Sequence, residues 1–202
     1  YVREMGEFLE FLLQPKGASE AEFRQVETTF EFLSKLLHRL PRVLTHRDYH
    51  AWNLMLDPGG RVRIIDFQDC LMAPVPYDLV SLLNDRDVDS LLGPKLYRSC
   101  LERFRLGSKL DLGFYQIYDQ VLLQRDLKVA GRFEKLASVR GLENYRKWIP
   151  GTLRRIGSTL ERMSVLNAGE IDVSETLDTL SKYFPEIREG AAQKLRLHEK
   201  TA

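Results

Sequence analysis

Thr45-His46-Arg47-Asp48-Tyr49-His50-Ala51-Trp52-Asn53-Leu54-Met55 and, one turn later, Ile64-Ile65-Asp66-Phe67-Gln68-Asp69 decide how the rest of this chain is read. Between them lies Asp57-Pro58-Gly59-Gly60, whose glycines supply the positive φ angles of a tight hairpin, flanked by the apolar runs 53–56 and 62–65. The hairpin is expected to return Asp66 close to Asn53, while Asp48 and Asn53 bracket a tight loop. Two carboxylates and one amide oxygen then converge on one spot. Few, hard oxygen donors suit Mg2+, which completes its shell with water and substrate phosphate. Phosphoryl transfer needs such a set, because its transition state is stabilised by charge and positioning more than by covalent chemistry. The expected roles are Asp48 as acceptor of a substrate hydroxyl proton, with Asn53 and Asp66 on the metal. Taken singly, each of these residues beside a Pro-Gly-Gly turn reads as an ordinary turn residue. Their joint order and spacing, H-R-D-x-x-x-x-N, strand, turn, I-D-F, is what makes the pattern specific.

The neighbouring polar residues divide between chemistry and support. His46 is expected to hydrogen-bond the loop backbone as a buried structural residue. His50 and Asp69 are candidates for ligand contact or for holding the loop. Asp78 follows Pro74 and Pro76 and is expected to cap a helix N-terminus and to brace the loop. Gln124, Arg125 and Lys128 lie on a long helical stretch, where Gln124, Leu127 and Lys128 share a face and Arg125 lies about 100° round. Solvated charge is the default for these three, with substrate contact the alternative. Tyr115, Tyr118, Tyr145 and Trp148 have the surface to stack on a sugar, but their spacings favour the core.

Around this segment the chain reads as helix. Phe8, Leu9, Leu12 and Leu13 mark one apolar face, ended by Pro15 and Gly17, and Ser19-Glu20-Ala21-Glu22 has capping-box spacing ahead of a second helix reaching about Leu40. From Asp78 onward helices are broken near Gly93-Pro94, Gly107 to Asp111, Gly141, Trp148 to Gly151 and Gly169 to Ser174. The charged stretch after Glu186 is expected to be a solvated terminal helix. The fold class is therefore α+β, mainly α: a helical body with one short β-hairpin that carries the chemistry, as a single domain over 1–202. Leading helices occupy 1–40, the loop and hairpin 41–69, and a helical substrate-side part 70–202.

Composition narrows the partners. Of 202 residues, 44% are hydrophobic and 29% charged, which fits an ordinary globular chain, and Lys plus Arg (30) nearly balance Asp plus Glu (29). That balance offers no global field for nucleic acid or an acidic membrane, and a small neutral or anionic ligand is expected instead. Cys70 and Cys100 have no metal-ligand spacing and read as free thiols. No apolar run nears the roughly 20 residues of a membrane span, so the expected location is cytoplasmic.

At the residues quoted first, the chain resembles the aminoglycoside phosphotransferase and choline kinase superfamily, whose members share a protein-kinase-like fold and use ATP and Mg2+. The resemblance implies that Asp48 is the catalytic base and that Asn53 and Asp66 are metal ligands. Residues 46–50, 65–69, 74–83 and 123–131 are similar, more narrowly, to the cell-wall-recycling kinases that phosphorylate the anomeric hydroxyl of N-acetylmuramate or N-acetylglucosamine. This favours Gln124, Arg125 and Lys128 as cleft residues and a sugar 1-phosphate as product. Two departures stand out. Ala51 and Trp52 fill a loop in which relatives often have small polar or basic residues. No segment reads as the N-terminal lobe with its nucleotide-covering loop and phosphate-binding lysine, so the chain is expected to be the C-terminal lobe of a longer protein, inactive alone. Other acceptors, such as an aminoglycoside, choline, homoserine or methylthioribose, and a non-catalytic nucleotide-binding or partner-binding lobe are the competing readings.

Overall fold

The computed structural model describes residues 1–86, 88–108, 110, 113–166 and 171–193. They form two compact units, His38–Val121 and the pair of segments Tyr1–Leu37 with Leu122–Ala202.

The unit His38–Val121 carries all the described strands, in two antiparallel pairs. Strand β2 (Leu54–Leu56) pairs with β3 (Val62–Ile64) in the register Leu54 to Ile64 and Leu56 to Val62. This is the expected hairpin, and Asp57 builds its turn. The Asp57 carboxylate accepts the amide N–H groups of Gly59 (2.9 Å) and Arg61 (3.0 Å), and Gly60 takes φ 75°. Strand β1 (Arg42–Thr45) pairs instead with β4 (Leu71–Pro74), Thr45 opposite Leu71. The short apolar run Val43-Leu44 marks β1 in the sequence, but its pairing with β4 is not expected from it. Helix α3 (Tyr77–Leu83) follows at once and buries Tyr77, Val80 and Leu83. Helix α4 (Val88–Ser108) bends at Gly93 (φ 62°, ψ 162°) ahead of Pro94, where the break was expected. The expected break at Gly107 to Asp111 falls partly outside the described residues.

Helix α5 (Phe114–Arg140) begins in this unit and continues in the other. Its start is core: Phe114 and Tyr118 are buried, and the Tyr118 hydroxyl lies 2.8 Å from both Asn84 Nδ2 and the Tyr97 hydroxyl. Burial, and then the neighbouring Tyr97, push the Tyr118 phenol well above its ordinary range. Tyr115 donates its hydroxyl to Glu102.

The other unit is helical. Helix α1 (Val2–Phe8) runs into a π-helical turn (Leu9–Leu13) and a short 3-10 turn, then Gly17 turns left-handed at φ 78°. Helix α2 (Glu20–Arg39) starts with the reciprocal capping box: Ser19 N–H to Glu22 at 2.9 Å, Glu22 N–H to Ser19 Oγ at 3.3 Å. Helices α6 (Ile149–Leu166), α7 (Ser174–Tyr183) and α8 (Pro185–Ala192) complete it. The expected break at Gly169 to Ser174 lies outside the described residues as far as 170. Phe133, Tyr145 and Trp148 form one aromatic cluster, with centroids 5.5 to 5.6 Å apart.

The stretch after Glu186 is not simply solvated. Helix α8 buries Ile187 and Gly190, and its backbone meets that of α6 directly. A Cβ on Gly157 would sit 2.0 Å from the Ile187 carbonyl oxygen, and one on Gly190 would sit 1.9 Å from that of Arg154. Ser158 Oγ donates to the Gly190 carbonyl at 2.7 Å. Paired glycines are what let two helices close to this separation. Residues from 194 onward lie outside the described set.

Candidate active site

The segment 45–53 is held by hydrogen bonds that fix its backbone before any side chain is considered. Asp78, in the first turn of α3, accepts the N–H of His46 on Oδ2 (2.8 Å) and that of Arg47 on Oδ1 (2.9 Å). It does not cap its own helix, whose N-cap is Pro76 with no side-chain bond. Ser81, three residues further on the same face of α3, donates to the Arg47 carbonyl at 3.3 Å. These bonds hold Arg47 at φ 72°, a conformation that non-glycine residues rarely adopt and that concentrates at functional sites.

His46 ties this loop to the far side of the hairpin. Its Nε2 lies 2.8 Å from the Ile65 carbonyl, which can only accept, so Nε2 carries the proton. Nδ1 is buried and has no hydrogen-bond partner among the described residues. The ring meets Tyr49 edge-on at 6.0 Å. His46 thus sits where the sequence expected it, against loop backbone.

Asp48 organises the turn through its carbonyl, which accepts His50 N–H (3.0 Å) and Asn53 Nδ2 (2.9 Å). A carbonyl has no proton to offer, so the nitrogen of the Asn53 amide must face it and the amide oxygen is turned to the other side. The Asp48 carboxylate takes no hydrogen bond from any described residue and is half-buried. Asn53 is buried; its N–H reaches the His50 carbonyl at 2.9 Å, and its own carbonyl accepts Ile65 N–H at 3.1 Å. This last bond extends the β2–β3 ladder by one step and sets Asp66 beside Asn53, with Asp66 Oδ2 3.5 Å from Asn53 Nδ2. Asp66 itself is exposed and left-handed, φ 67°.

The structure therefore brings Asp48, Asn53 and Asp66 together, with His46 and Asp78 as loop supports. Among the described residues no group of three or more His, Cys, Asp or Glu forms a metal-binding cluster. The donors on hand are the Asn53 amide oxygen and the Asp66 carboxylate. Such a sparse hard-oxygen set fits a divalent cation that keeps water and shares phosphate, and does not fit a closed all-protein cage. His50 is half-buried within the turn, and Asp69 is exposed on the loop after the hairpin.

Gln124, Arg125 and Lys128 are placed in the helical unit. Gln124 is fully buried and donates to Glu4 at 3.2 Å, and Lys128 lies 3.7 Å from the same carboxylate. Together with Arg132 and Lys135, both 3.0 Å from Glu7, they bind α1 to α5. Arg125 is buried, and its neighbour Asp126 is gripped at 3.0 Å by two nitrogens of Arg155. The default of solvated charge does not hold for any of the three.

Two further residues, not singled out by sequence pattern, support the site. Gln68 Nε2 donates to Asp66 Oδ1 at 2.8 Å, and Ser81 braces Arg47. The signals were there: an amide two residues past Asp66 in a turn, and a hydroxyl at i+3 from Asp78 on one helix.

Large apolar side chains around these residues stand open to solvent, among them Leu44, Met55, Leu56, Val62 and Phe67, exposed by 52 to 74%. Among the described residues no helix is long and apolar enough to cross a membrane.

The chain is 32% identical over 192 residues to a protein of Neisseria meningitidis serogroup B named N-acetylmuramate/N-acetylglucosamine kinase, a match covering 88% of this chain and 57% of that protein. Proteins of the same name from Caulobacter vibrioides (32% over 115 residues, 54% of this chain and 31% of that one) and Pseudomonas aeruginosa (31% over 132 residues, 60% and 38%) are also similar. The chain spans little more than half the length of the Neisseria relative, and less of the others. Residues 3–107, which include every residue from Thr45 to Asp85, match the phosphotransferase enzyme family, and the chain belongs to that family.

Proposed function

We propose that the protein transfers the γ-phosphoryl group of ATP to a small-molecule hydroxyl, and that the acceptor is the anomeric hydroxyl of an amino sugar, N-acetylmuramate or N-acetylglucosamine. The observation that carries the transfer is the uncommitted carboxylate of Asp48, held one tight turn from Asn53 and Asp66. The sugar assignment draws on the names of the relatives.

In this reading Asp48 orients the acceptor hydroxyl and takes its proton as the new oxygen–phosphorus bond forms in line with the breaking bond to ADP. Asn53 and Asp66 would hold Mg2+, which when bound supplies positive charge against the phosphate oxygens. Asn53 serves this with its oxygen because Asp48 engages its nitrogen. Asp78 and His46 hold the turn, and Gln68 fixes one oxygen of Asp66. His50 and Asp69 are candidates for ligand contact. The Neisseria match covers 88% of the chain and so includes residues of both units. The exposed apolar side chains of Leu44, Leu56, Val62 and Phe67 suit cover by further polypeptide and by nucleotide. A cytoplasmic location accords with the need for ATP.

The test is ADP release by the full-length protein with Mg-ATP against N-acetylmuramate, N-acetylglucosamine, aminoglycosides and choline. Asp48→Asn should lower kcat by about 10²-fold or more while Mg-ATP still binds. Turnover on another acceptor alone would move the substrate and keep the chemistry. An unchanged rate in the variant would overturn the role of Asp48, and no turnover at all would favour a non-catalytic binding lobe.

A further inference from the structure

We infer that Trp52 is the acceptor-binding platform of this site: its indole stacks on the apolar face of the sugar ring whose hydroxyl is presented to Asp48. The inference rests on the amino-sugar reading and adds to it the residue that selects the substrate.

Trp52 lies in the 3-10 turn Ala51–Asn53, between the proposed base and the proposed metal residue. Both ends of that turn are fixed, by Asn53 Nδ2 on the Asp48 carbonyl (2.9 Å) and Asn53 N–H on the His50 carbonyl (2.9 Å). A large aromatic residue there would ordinarily be buried, yet Trp52 is 72% exposed. It contributes nothing to the core.

One face of the indole is nonetheless engaged. The guanidinium of Arg86 lies over the ring, 5.8 Å from its centroid, on the loop that follows α3. Arg86 is in turn held at 3.3 Å by Asp85, which is buried. The pair backs the ring on one side, and an indole that is 72% exposed keeps surface for a ligand. The electron-rich face of an indole attracts groups bearing partial positive charge. The C–H bonds on one side of a pyranose are such groups, while its hydroxyls stay free for other contacts.

Position favours the acceptor over the nucleotide. The acceptor hydroxyl must come to the Asp48 carboxylate, four residues before Trp52, whereas adenine is separated from the transferred phosphoryl by two phosphates and a ribose. A neutral or anionic sugar is also compatible with Arg86 beside the ring, and a cationic aminoglycoside is disfavoured by it.

The experiment uses the full-length protein with Trp52→Ala and Trp52→Phe, reading KM for sugar and for ATP separately. The alanine variant should raise the sugar KM about tenfold with ATP KM unchanged, and phenylalanine should recover most of the loss. In wild-type protein labelled with 5-fluorotryptophan, the fluorine signal assigned to Trp52 by its loss in Trp52→Phe should shift on adding sugar without ATP. An unchanged sugar KM, or a rise in ATP KM alone, overturns the assignment. Should the alanine variant fail to fold, a Trp52 signal unmoved by sugar overturns it as well. Absence of amino-sugar turnover in the wild type defeats the functional reading and this inference together, whereas turnover with an indifferent Trp52 defeats only this one.

Discussion

Asp78 Oδ2 accepts the backbone N–H of His46 at 2.8 Å, across 32 residues of chain. Its other oxygen takes the next N–H, so one carboxylate holds two consecutive amides and with them the left-handed Arg47. Removing the carboxylate leaves both amides without that acceptor. Asp78→Ala is expected to lower unfolding free energy by about 2–4 kcal/mol, and Asp78→Asn, which keeps one acceptor, by about half of that. Urea unfolding of each variant measures it. Equal stability of the alanine variant and wild type would mean the brace is unimportant.

Gln68 occupies one oxygen of Asp66 and orients the other. Groups that orient a metal ligand typically change metal affinity by about tenfold or more when removed. On the proposed metal role of Asp66, Gln68→Leu should raise the Mg2+ concentration for half-maximal activity of the full-length protein by about that factor, with KM for the proposed sugar acceptor unaffected. A Mg2+ titration at saturating ATP and sugar makes the comparison, with Asp66→Asn as the variant that should lose the metal outright.

Where α6 and α8 touch, Gly157 and Gly190 each face a carbonyl of the opposite helix. Added methyl groups would meet backbone, which has no alternative rotamer to move into. Gly157→Ala and Gly190→Ala are each expected to destabilise the protein by about 3 kcal/mol, and their effects should not add, because either one already separates the helices. Thermal unfolding of the single and double variants tests both statements.

Glu22 carries both the capping box of α2 and a long-range contact, with Lys182 Nζ and the Tyr183 hydroxyl each at 2.7 Å. The bond from Lys182, then those from Ser19 and Tyr183, hold its carboxyl far below the ordinary 4.5. The folded protein thus binds fewer protons at this site than the unfolded chain does. The stability it contributes is complete above pH 4.5 and is lost progressively as pH falls below that value. Glu22→Gln should be less stable than wild type at neutral pH and converge with it in acid. Denaturant midpoints measured between pH 7 and pH 3 would reveal the convergence, and parallel curves would contradict it.

Much of the site was legible because it is built from short-range chemistry. The spacing from Asp48 to Asn53, the Asp57 turn and the return to Asp66 are settled within 19 residues by one turn type and one hairpin register. The Ser19 to Glu22 capping box and the bend at Gly93-Pro94 are likewise local, each set by what a backbone can do at those residues. For the same reason the mainly helical class followed from periodicity.

The rest depended on partners distant in sequence. β4 pairs with β1 across 26 residues, as in the bond from Thr45 Oγ1 to the Leu71 carbonyl, and neither strand's pattern names the other. Asp78 has the sequence of a capping residue, and only the position of the loop turns its oxygens to His46 and Arg47 instead. Gln124 and Lys128 have the composition of a solvated face, yet Glu4 lies opposite them when α1 is in place. Sequence determined which groups exist and the backbone conformations that they allow locally. Which donor meets which acceptor was decided by tertiary structure, because a hydrogen bond or ion pair needs both partners and long-range closure alone brings them within reach.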